Sequence, residues 1–503
     1  MTGTGLDLAG TLVCVAGLGV TGPSVVRTLL GLGAAVVAVD GRDGDRERAL
    51  ADELRAAGAE VLLGGGDTLP PGVQLVVTSP GWRPDAPLLV SAATAGVPVW
   101  GDVELAYRLR PPGQEWLGVT GTNGKTTTVE MLASILRAAG HRSVASGNVG
   151  FPVLDAVLAD PPYDVLAVEV SSFQLHWTST VEFVSGALLN IAADHLDWHG
   201  SLEAYAADKA LVWRSDWYAV YNQDDPLVAA MAERVDDRQS FSIDPAARAC
   251  FGLVGDALVD RCIGTDPDDV ESTRVPDGGV VLAEVTDIPV PGPHNVANAL
   301  AAAALARCLN SATGGRLAVH PRDVRAGLRA FDPGPHRIAH VTTIDGVAFV
   351  DDSKATNAHA AAASLQSFPH VVWVAGGLAK GARFEELVAA TADRLRGAVL
   401  IGTDRALVAE ALARHAPEIP VVEVVAPDTG RMDTAAVMDR VVRAAADLAR
   451  PGDTVLLAPA CASMDMFRDY AERGDSFAAA ALRLGGTAGP HGPAGSAAAS
   501  ATS

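Results

Sequence analysis

Short apolar runs alternate with longer amphipathic stretches through most of the chain. The first two runs, at residues 12–16 and 35–39, flank a stretch at 20–32 whose composition and apolar spacing suit a helix. Strands that are buried on both faces of a parallel sheet read as continuous apolar runs, and the crossover between them is usually a helix. The pattern therefore predicts an α/β fold that begins with a βαβ unit.

A chain of 503 residues is too long for a single hydrophobic core, so we expect several domains. The alternation predicts an N-terminal Rossmann-like domain (1–112), a central P-loop ATPase-type domain with a mostly parallel sheet (113–333), a C-terminal Rossmann-like domain (334–485) and a disordered tail (486–503). The segment 101–115 contains Pro111-Pro112-Gly113 and predicts a linker. The C-terminal unit predicts a parallel sheet from runs at 347–350, 371–375, 398–401, 421–425 and 454–457.

One loop of the central unit combines glycines with a lysine and hydroxyl residues. An apolar strand ending at Val119 leads into Gly121-Thr122-Asn123-Gly124-Lys125-Thr126, and a helix is predicted over 127–139. Glycines let backbone amides surround an anion, the helix N-terminus adds partial positive charge, and Lys125 can reach the β- and γ-phosphates. The Thr126 hydroxyl is placed to bind Mg²⁺. The loop predicts a nucleotide-triphosphate site, with a surface turn as the alternative.

Polar residues also follow other strands of the central unit. Glu169 interrupts an apolar run at 165–170, where a carboxylate is costly unless it meets a cation, so it is either a magnesium ligand or a salt-bridged structural residue. Two Asp and two His lie within residues 194–199, which fits part of a metal or phosphate site or a capped helix start. Lys209 and Asn295, on later predicted helices, carry no assignment by themselves.

The first strand of the chain ends in a second glycine-rich loop. Gly17-Leu18-Gly19-Val20-Thr21-Gly22 is a complete G-x-G-x-x-G, and Asp40 ends the next strand. Taken alone, this pattern predicts NAD or FAD, although it specifies a phosphate site more firmly than the nucleotide that fills it. Open α/β sheets bind ligands at the carboxyl ends of their strands. Other polar loops in such positions begin at Thr78, Asp351, Gly376 and Ala458.

Charge and composition restrict the expected partners. The formal net charge of −22 disfavours a general binder of nucleic acids or anionic membranes, because neutralising phosphates needs an excess of Lys and Arg. The N-terminus lacks the features of a signal peptide, and every apolar run is shorter than a membrane span. The five cysteines show no metal-ligand spacing, so buried thiols in a reducing compartment are expected. We predict a cytoplasmic protein without membrane insertion.

These motifs, in this order, resemble the Mur ligase family, and the resemblance extends over residues 11–482. The loop at 121–126 has the family's own form of the P-loop, which explains Val119 where the general pattern has glycine. His294-Asn295 with Asn298, and the run 352–357, fit the family generally. The run Glu169-Val170-Ser171-Ser172-Phe173-Gln174-Leu175 and the stretch 460–477 resemble most closely the members that add D-glutamate.

The resemblance implies three sets of binding residues. The N-terminal domain would hold the UDP part of a sugar substrate rather than a redox cofactor, through Gly19, Val20, Thr21, Asp40, Arg42, Ser79, Pro80 and Gly81. ATP would contact Gly121, Thr122, Asn123, Gly124, Lys125, Thr126, Thr127, Asn295, Asn298, Arg337, Asp352 and Lys354. D-Glutamate would contact Thr356, Lys380, Ser463 and Tyr470.

The resemblance also implies a catalytic centre. Two Mg²⁺ ions would be bound by Thr126, Glu169, His195 and Lys209, with Lys209 carbamylated to N6-carboxylysine. Lys125 would act on the phosphates of ATP, and Asn148 would contact the acyl donor. Two positions depart from the family pattern: Tyr470, where some relatives have Phe, and Gly41, where a hydroxyl residue is common.

The implied activity is ATP-dependent amide ligation in peptidoglycan precursor synthesis, by a monomer that binds only small molecules. The carboxylate of UDP-N-acetylmuramoyl-L-alanine would form an acyl phosphate, which the amine of D-glutamate would attack, giving ADP and phosphate. The nearest rival activity is that of another ligase of the superfamily, one that adds diaminopimelate or lysine or that extends folates. The Asp-Asn-Pro-Arg motif of the diaminopimelate or lysine enzymes is absent. Two rivals from other classes are disfavoured. An NAD-dependent oxidoreductase would leave the P-loop and the polar loops of the last domain unexplained, and a non-enzymatic ATP switch would give Lys380 and Ser463 no role.

Overall fold

The computed structural model describes residues 6–66, 68–147, 151–215, 218–263, 273–276, 278–290, 292–425 and 433–487. These residues fall into two compact units, one within Met1–Pro289 and His294–Asp332, the other within Val290–Pro293 and Pro333–Ser503. The first unit carries two sheets and the second carries one. The predicted α/β class is therefore confirmed, and the exact limits of the three domains stay predictions.

A five-stranded parallel sheet opens the first unit, in the order β3-β2-β1-β4-β5. Its strands are β1 (Leu12–Ala16), β2 (Ala35–Asp40), β3 (Glu60–Leu63), β4 (Leu75–Thr78) and β5 (Val99–Gly101), and its helices are α1 (Gly22–Gly31), α2 (Asp45–Ala56), α3 (Pro87–Thr94) and α4 (Asp102–Leu109). Val13 and Val15 enter one apolar core, and Cys14 and Ala16 enter another. Both faces are thus covered, which is why the strands are continuous apolar runs.

The predicted linker at 101–115 is wrong, because most of it is α4. Leu105 and Ala106 on this helix are fully buried in the core. Pro111 and Gly113 mark only the turn between α4 and the next strand. A proline pair shows where a helix must stop, but it does not show whether the preceding residues pack.

The second sheet of the first unit has nine strands, in the order β14-β13-β12-β11-β10-β9-β6-β8-β7. They are β6 (Glu115–Thr120), β7 (Ser143–Gly147), β8 (Val165–Glu169), β9 (Ser185–Leu188), β10 (Tyr218–Asn222), β11 (Arg238–Phe241), β12 (Phe251–Val254), β13 (Ala257–Asp260) and β14 (Val280–Glu284). The pairs from β7 to β12 are parallel, and β12, β13 and β14 form an antiparallel extension. The mostly parallel sheet predicted here is confirmed.

The helices of this second sheet are α5 (Lys125–Ala138), α6 (Val153–Val157), α7 (Ser172–His176), α8 (Leu196–His199), α9 (Leu202–Ala210), α10 (Pro226–Ala232), α11 (Pro293–Ala312) and α12 (Pro321–Arg329). Short 3₁₀ turns occupy Leu211–Trp213, Pro245–Ala247 and Val285–Asp287. Helices α5 and α12 approach closely at Gly327, where a Cβ atom would collide with the backbone of Ile135. A glycine is needed there because α5, which begins at the P-loop, packs against α12 backbone to backbone.

The cysteine prediction is partly wrong. Cys14, Cys308 and Cys461 are free and buried, as expected, but Cys250 and Cys262 form a disulfide. Strands β12 and β13 pair as an antiparallel hairpin, which brings together the residues just before the first strand and just after the second. The sequence alone does not show this pairing, because it depends on the hairpin register.

The second unit is a six-stranded sheet in the order β15-β16-β20-β17-β18-β19. Its strands are β15 (Ala339–Ile344), β16 (Val347–Asp351), β17 (Val371–Gly376), β18 (Leu395–Ile401), β19 (Val421–Glu423) and β20 (Thr454–Leu457). Its helices are α13 (Ala358–Gln366), α14 (Glu385–Thr391), α15 (Arg405–His415), α16 (Thr434–Leu448) and α17 (Tyr470–Thr487), with a 3₁₀ turn at Ala392–Arg394.

The five predicted strands form the parallel part of this sheet, and the sequence analysis missed a sixth strand at its edge. The edge strand β15 pairs antiparallel with β16 through a tight turn. The residues of β15 are only partly buried, so its sequence lacks the apolar run that marks the other strands. Helix α17 includes Gly486 and Thr487, and the rest of the predicted disordered tail lies outside the described residues. Within the described part of the chain, none of the helices combines the length and hydropathy that a membrane span requires.

Candidate active site

The glycine-rich loop predicted to bind phosphate lies at the carboxyl end of β6. Gly121 and Gly124 have φ angles of 157° and 84°, a region that strains other residues. A Cβ atom at Gly124 would also collide with the side-chain oxygen of Asn298. Helix α5 begins at Lys125, whose Nζ donates to the carbonyls of Gly121 at 2.9 Å and Thr122 at 3.0 Å. The loop is therefore a curled backbone with a cation at its centre, followed by a helix N-terminus.

Two residues that the sequence analysis missed hold this loop in place. Asn190, just after β9, accepts a hydrogen bond from the Asn123 amide at 2.8 Å and donates to the Asn123 carbonyl at 3.1 Å. The Tyr205 hydroxyl on α9 lies 3.1 Å from the Thr122 hydroxyl. Neither residue belongs to a charged or glycine-rich motif. They reach the loop because β9 pairs with β6 and α9 packs beside it.

Two lysines and one carboxylate surround the same loop. Lys209 on α9 is 1% exposed, and its Nζ donates to the Gly121 carbonyl at 2.8 Å and to the Thr120 hydroxyl at 3.3 Å. Burial and, second, the nearby Lys125 ammonium lower the pKa of Lys209 well below its ordinary value. Burial also lowers the pKa of Lys125, although the carboxylates of Glu169 and Asp194 act in the opposite direction.

Glu169 ends β8 beside this loop. Its side chain is buried, and its Oε2 atom has no hydrogen-bond partner among the described residues. A buried carboxylate oxygen without a partner fits a cation ligand, because leaving it bare would cost free energy. Such an oxygen, the two lysines and the loop amides together suit an anion that arrives with a metal ion.

His195, the second predicted metal ligand, is half exposed and caps α8 with a φ angle of 53°. Its Nε2 atom lies 3.5 Å from Asp194. No group of three or more His, Cys, Asp and Glu within the described ranges could hold a metal ion. A magnesium ion here would therefore also need the Thr126 hydroxyl, phosphate oxygens or water, which is the usual manner of magnesium binding.

The other predicted site residues of the first unit either lie near the P-loop or fall outside the residues that the structure describes. Thr126 and Thr127 follow Lys125 in the first turn of α5. Asn295 and Asn298 lie one turn apart on α11, where the Asn298 amide donates to the Asn295 oxygen at 3.3 Å. Asn298 is also the neighbour of Gly124 noted above. Asn148, predicted to contact the acyl donor, lies outside the described residues.

The residues predicted to bind UDP gather at the carboxyl edge of the five-stranded sheet. Asp40 accepts from the Leu18 amide at 2.8 Å and from the Arg42 amide and guanidinium at 2.9–3.0 Å. Burial acts to raise the pKa of Asp40, but the bonds from Arg42 and Leu18 outweigh it and hold the pKa below its usual value. The Ser79 hydroxyl, at the start of the loop containing Pro80 and Gly81, donates to the Gly17 carbonyl at 3.0 Å.

The loop at residues 17–22 leaves open space at this edge of the sheet. Nothing lies within 4 Å of a Cβ atom placed at Gly19 or Gly81, and Val20 is 89% exposed. Thr21 precedes α1 without a side-chain capping bond. Gly41, the departure noted in the sequence, faces only the Gly65 carbonyl, 3.7 Å from a Cβ atom placed there.

Three polar loops meet at the carboxyl edge of the sheet in the second unit. The Ala460 amide donates to the Ala355 carbonyl at 2.9 Å, and Leu378 and Ala462 exchange backbone hydrogen bonds. Arg473 is fully buried and donates to two of these loops. Its three bonds, at 2.9–3.0 Å, reach Ser353 Oγ, the Ser353 carbonyl and the Cys461 carbonyl. The edge is thus a preformed scaffold.

The predicted D-glutamate residues lie on these loops or close to them: Thr356, Lys380, Ser463 and, on α17, Tyr470. Ser463 is 4% exposed, whereas Lys380 is exposed with a φ angle of 51°. Lys354 Nζ lies 5.6 Å from the centre of the Tyr470 ring. Burial raises the pKa of Asp352 to about 6. Arg337 follows His336 at the start of the unit, and the Lys354 amide donates to the His336 carbonyl at 3.2 Å.

The fold and the P-loop centre together define an α/β enzyme that uses a nucleoside triphosphate. Three family models match successive parts of the chain: the MurD-like N-terminal domain at residues 11–101, the Mur ligase middle domain at 119–306 and the glutamate ligase domain at 336–461. The chain belongs to the Mur ligase family.

Curated relatives match over nearly the full chain. The UDP-N-acetylmuramoylalanine–D-glutamate ligase of Thermobifida fusca is 56% identical, covering 96% of this chain and 100% of the relative. The enzyme of the same name from Streptomyces avermitilis is 55% identical, covering 95% of this chain and 99% of the relative.

Solved structures of the family are more distant in sequence. The UDP-N-acetylmuramate–alanine ligase of Thermotoga maritima superimposes with a TM-score of 0.53 at 17% identity, covering 94% of this chain and 99% of that one. A UDP-N-acetylmuramoylalanyl-D-glutamyl-2,6-diaminopimelate–D-alanyl-D-alanyl ligase from Acinetobacter baumannii gives 0.54 at 17% identity, covering 90% of each chain. At this identity the likeness supports the fold alone.

Proposed function

We propose that this chain is an ATP-dependent ligase that adds D-glutamate to UDP-N-acetylmuramoyl-L-alanine in peptidoglycan precursor synthesis. The observation that carries the ATP-dependent step is the cluster of Lys125, Lys209 and the bare Glu169 oxygen around the Gly121 loop. The choice of D-glutamate and of the sugar nucleotide is supported by the names of the relatives. We expect a cytoplasmic monomer.

Ligation would run in two steps. The substrate carboxylate attacks the γ-phosphorus of ATP, ADP leaves, and an acyl phosphate forms. The amine of D-glutamate then attacks the acyl carbon, phosphate leaves, and the amine loses a proton. Lys125 and the amides of the loop at 121–126 would stabilise the charge on the transferring phosphoryl group. Because the acyl phosphate reacts with water, the site must exclude water while it exists.

The remaining roles follow the predicted assignments. The edge around Asp40 and Ser79 would bind the UDP group, and the loops carrying Thr356, Lys380 and Ser463, with Tyr470 beside them, would bind D-glutamate. Asn295 and Asn298 would lie near the adenine of ATP, Arg337 and Asp352 near its ribose and Lys354 near its phosphates. Asn148 would contact the acyl donor. These roles suit the residue types, because lysine and hydroxyl groups bind carboxylates and phosphates.

We further propose that two Mg²⁺ ions are bound by Thr126, Glu169, His195 and a carbamylated Lys209. When bound, magnesium neutralises phosphate charge. Carbamylation joins the Lys209 amine to the carbon of CO₂ and releases a proton, so it needs the neutral amine. The burial of Lys209 among Gly121, Thr120 and Lys125 favours that neutral form. The product is a carboxylate, which is the ligand type that magnesium prefers.

The test of the ligase function is phosphate release from ATP with UDP-N-acetylmuramoyl-L-alanine as the acyl donor. D-Glu, L-Glu, L-Lys and meso-diaminopimelate are offered in parallel. Turnover with D-Glu alone is expected. Turnover with another amino acid would keep the ligase chemistry but reject the roles given to Lys380 and Ser463. Absence of turnover with all four would reject the proposed substrates.

The carbamate is tested by Lys209→Ala with added short carboxylates such as acetate and formate. The variant should lose most activity and regain part of it when the carboxylate occupies the vacated space. Lys380→Ala serves as the matched control, because a lysine removed from an exposed loop leaves no buried space for the additive. Activity equal to wild type in Lys209→Ala without additive would reject the carbamate.

A further inference from the structure

One carboxylate of the first unit is shared by two histidines. Asp208 lies on α9 beside Lys209. The Nδ1 atom of His176 lies 3.1 Å from both of its oxygens, and the Nδ1 atom of His199 lies 3.0 Å from Oδ2. The Nε2 atom of His199 lies 2.9 Å from the Ser172 hydroxyl oxygen. We call Ser172, His176, His199 and Asp208 the Asp208 bridge.

The bridge is largely removed from water. The side chains of His199 and Asp208 are 0% and 17% exposed, and Ser172 is 2% exposed. The His199 ring stacks on Phe173 with an interplanar angle of 6° and a centroid distance of 5.4 Å. Because a carboxylate only accepts, both Nδ1 atoms donate to Asp208, and the Nε2 atom of a neutral His199 accepts from Ser172. The orientation of each ring is thereby fixed.

The bridge joins three segments that each carry a proposed magnesium ligand. Helix α7 follows β8, which ends at Glu169. Helix α8 is capped by His195, and the His199 amide at its other end donates to the His195 carbonyl at 3.1 Å. Helix α9 contains Lys209. Consecutive residues of a helix point about 100° apart, so Asp208 can contact the two histidines while Lys209 contacts the P-loop.

We propose that the Asp208 bridge positions the catalytic centre by fixing α7, α8 and α9 relative to one another. Asp208 acts through His176 and His199, so it is a positioning residue rather than a catalytic one. Carboxylates hydrogen-bonded directly to a metal ligand contribute strongly to metal affinity and activity. The Asp208 bridge acts one step further out, through the helices that carry or flank the proposed ligands. The inference rests on the proposed ligase function.

The lysines of the chain supply a readout that does not depend on turnover. Only Lys125, Lys209, Lys354 and Lys380 occur in the whole sequence. Brief acetylation with acetic anhydride in CO₂-free buffer, where Lys209 is a free amine, is quantified by mass spectrometry and reports the accessibility of each amine. Lys209 is 1% exposed and should react slowest, while the exposed Lys380 serves as the internal standard. The Asp208→Ala variant should label several-fold faster at Lys209, with Lys354 unchanged.

Kinetics provide the second readout. In Asp208→Ala, kcat should fall and the magnesium requirement should rise, by at most the roughly 10- to 100-fold that follows the loss of a direct partner of a metal ligand. The KM for D-glutamate should stay unchanged. Asp208→Asn keeps the shape but has one accepting oxygen, so its effect should be intermediate. Glu203→Ala is the matched control, because it removes an exposed carboxylate from the same helix.

Unchanged Lys209 labelling together with unchanged kcat in Asp208→Ala would overturn the proposal. A variant that unfolds would label faster at Lys125 and Lys354 as well as at Lys209, and it would lose its melting transition. In that case His199→Gln decides, because it breaks one arm of the bridge and leaves Asp208 bound to His176. Equal labelling and kcat in His199→Gln would again overturn the proposal. If wild type lacks ligase turnover, the proposed function fails, while the labelling test still reports on the bridge.

Discussion

The two glycine-rich loops of the first unit share a backbone design and differ in charge. Each follows a strand of a parallel sheet, each contains a glycine with positive φ (98° at Gly17 and 157° at Gly121), and each leads into a helix. In the first loop, Asp40 already accepts from the Leu18 amide and pairs with Arg42. In the second, Lys125 begins the helix.

The charged side chains around the two loops also differ. Beside the second loop, Lys209 is buried, and the nearby Glu169 oxygen has no partner among the described residues. The charged side chains beside the first loop are hydrogen-bonded to each other, whereas Lys125 and Lys209 beside the second loop donate to uncharged oxygens. Glycines thus set the shape that admits a phosphate, whereas the charges around the loop decide which anion is bound and whether it reacts. This is why G-x-G-x-x-G alone, which predicts NAD or FAD, is a poor guide to the ligand.

The largest effect is expected when the second loop loses its cation. Lys125→Ala should lower turnover by about 10³-fold or more, since charge on the transferring phosphoryl group would lose its main protein partner. The fold should survive, because Lys125 bonds only to carbonyls of its own loop. Phosphate release and a thermal melt measure the two properties. Turnover near wild type would mean that the two loops do not differ as argued.

Much of this contrast is predictable from sequence. Parallel strands are visible as apolar runs, and polar clusters after them indicate the ligand edge. The amino-acid composition is also informative. The chain contains four lysines, all of which are predicted site residues, and its other permanently cationic side chains are arginines. A residue type that occurs only in loops after strands, at the start of the P-loop helix and at one buried helix position indicates function.

The features that the sequence does not predict depend on contacts between residues that are far apart in the chain. Asn190 reaches Asn123 across a sequence separation of 67 residues, and Ser172 reaches His199 across 27. No local pattern encodes such contacts. The strand β15 and the Cys250–Cys262 disulfide escape prediction for related reasons, because an edge strand is only half apolar and a disulfide needs the hairpin register.

A second prediction tests whether the first loop depends on its backbone shape. A Cβ atom at Gly22 would collide with the Gly17 carbonyl, whereas one at Gly19 would meet nothing within 4 Å. Gly22→Ala should therefore destabilise the protein by about 1–3 kcal/mol, the usual cost of overpacking. Gly19→Ala, the matched control, should change stability by less than about 0.5 kcal/mol. Urea unfolding of both variants measures this, and equal stability would contradict the requirement for glycine at position 22.

The smallest effect is expected from the charge balance of the first loop. Asp40→Asn keeps one accepting oxygen for the Leu18 amide but removes the negative charge that holds the Arg42 guanidinium at 2.9–3.0 Å. The Arg42 side chain is 58% exposed, so its pairing with Asp40 contributes no more than about 1 kcal/mol, and the KM for the UDP substrate should rise about two- to fivefold. The KM for ATP should not change, because the second loop is built from other residues. Steady-state kinetics with each substrate varied separately measures both values. A parallel rise in both would show that the two loops act as one site rather than as two with different charge.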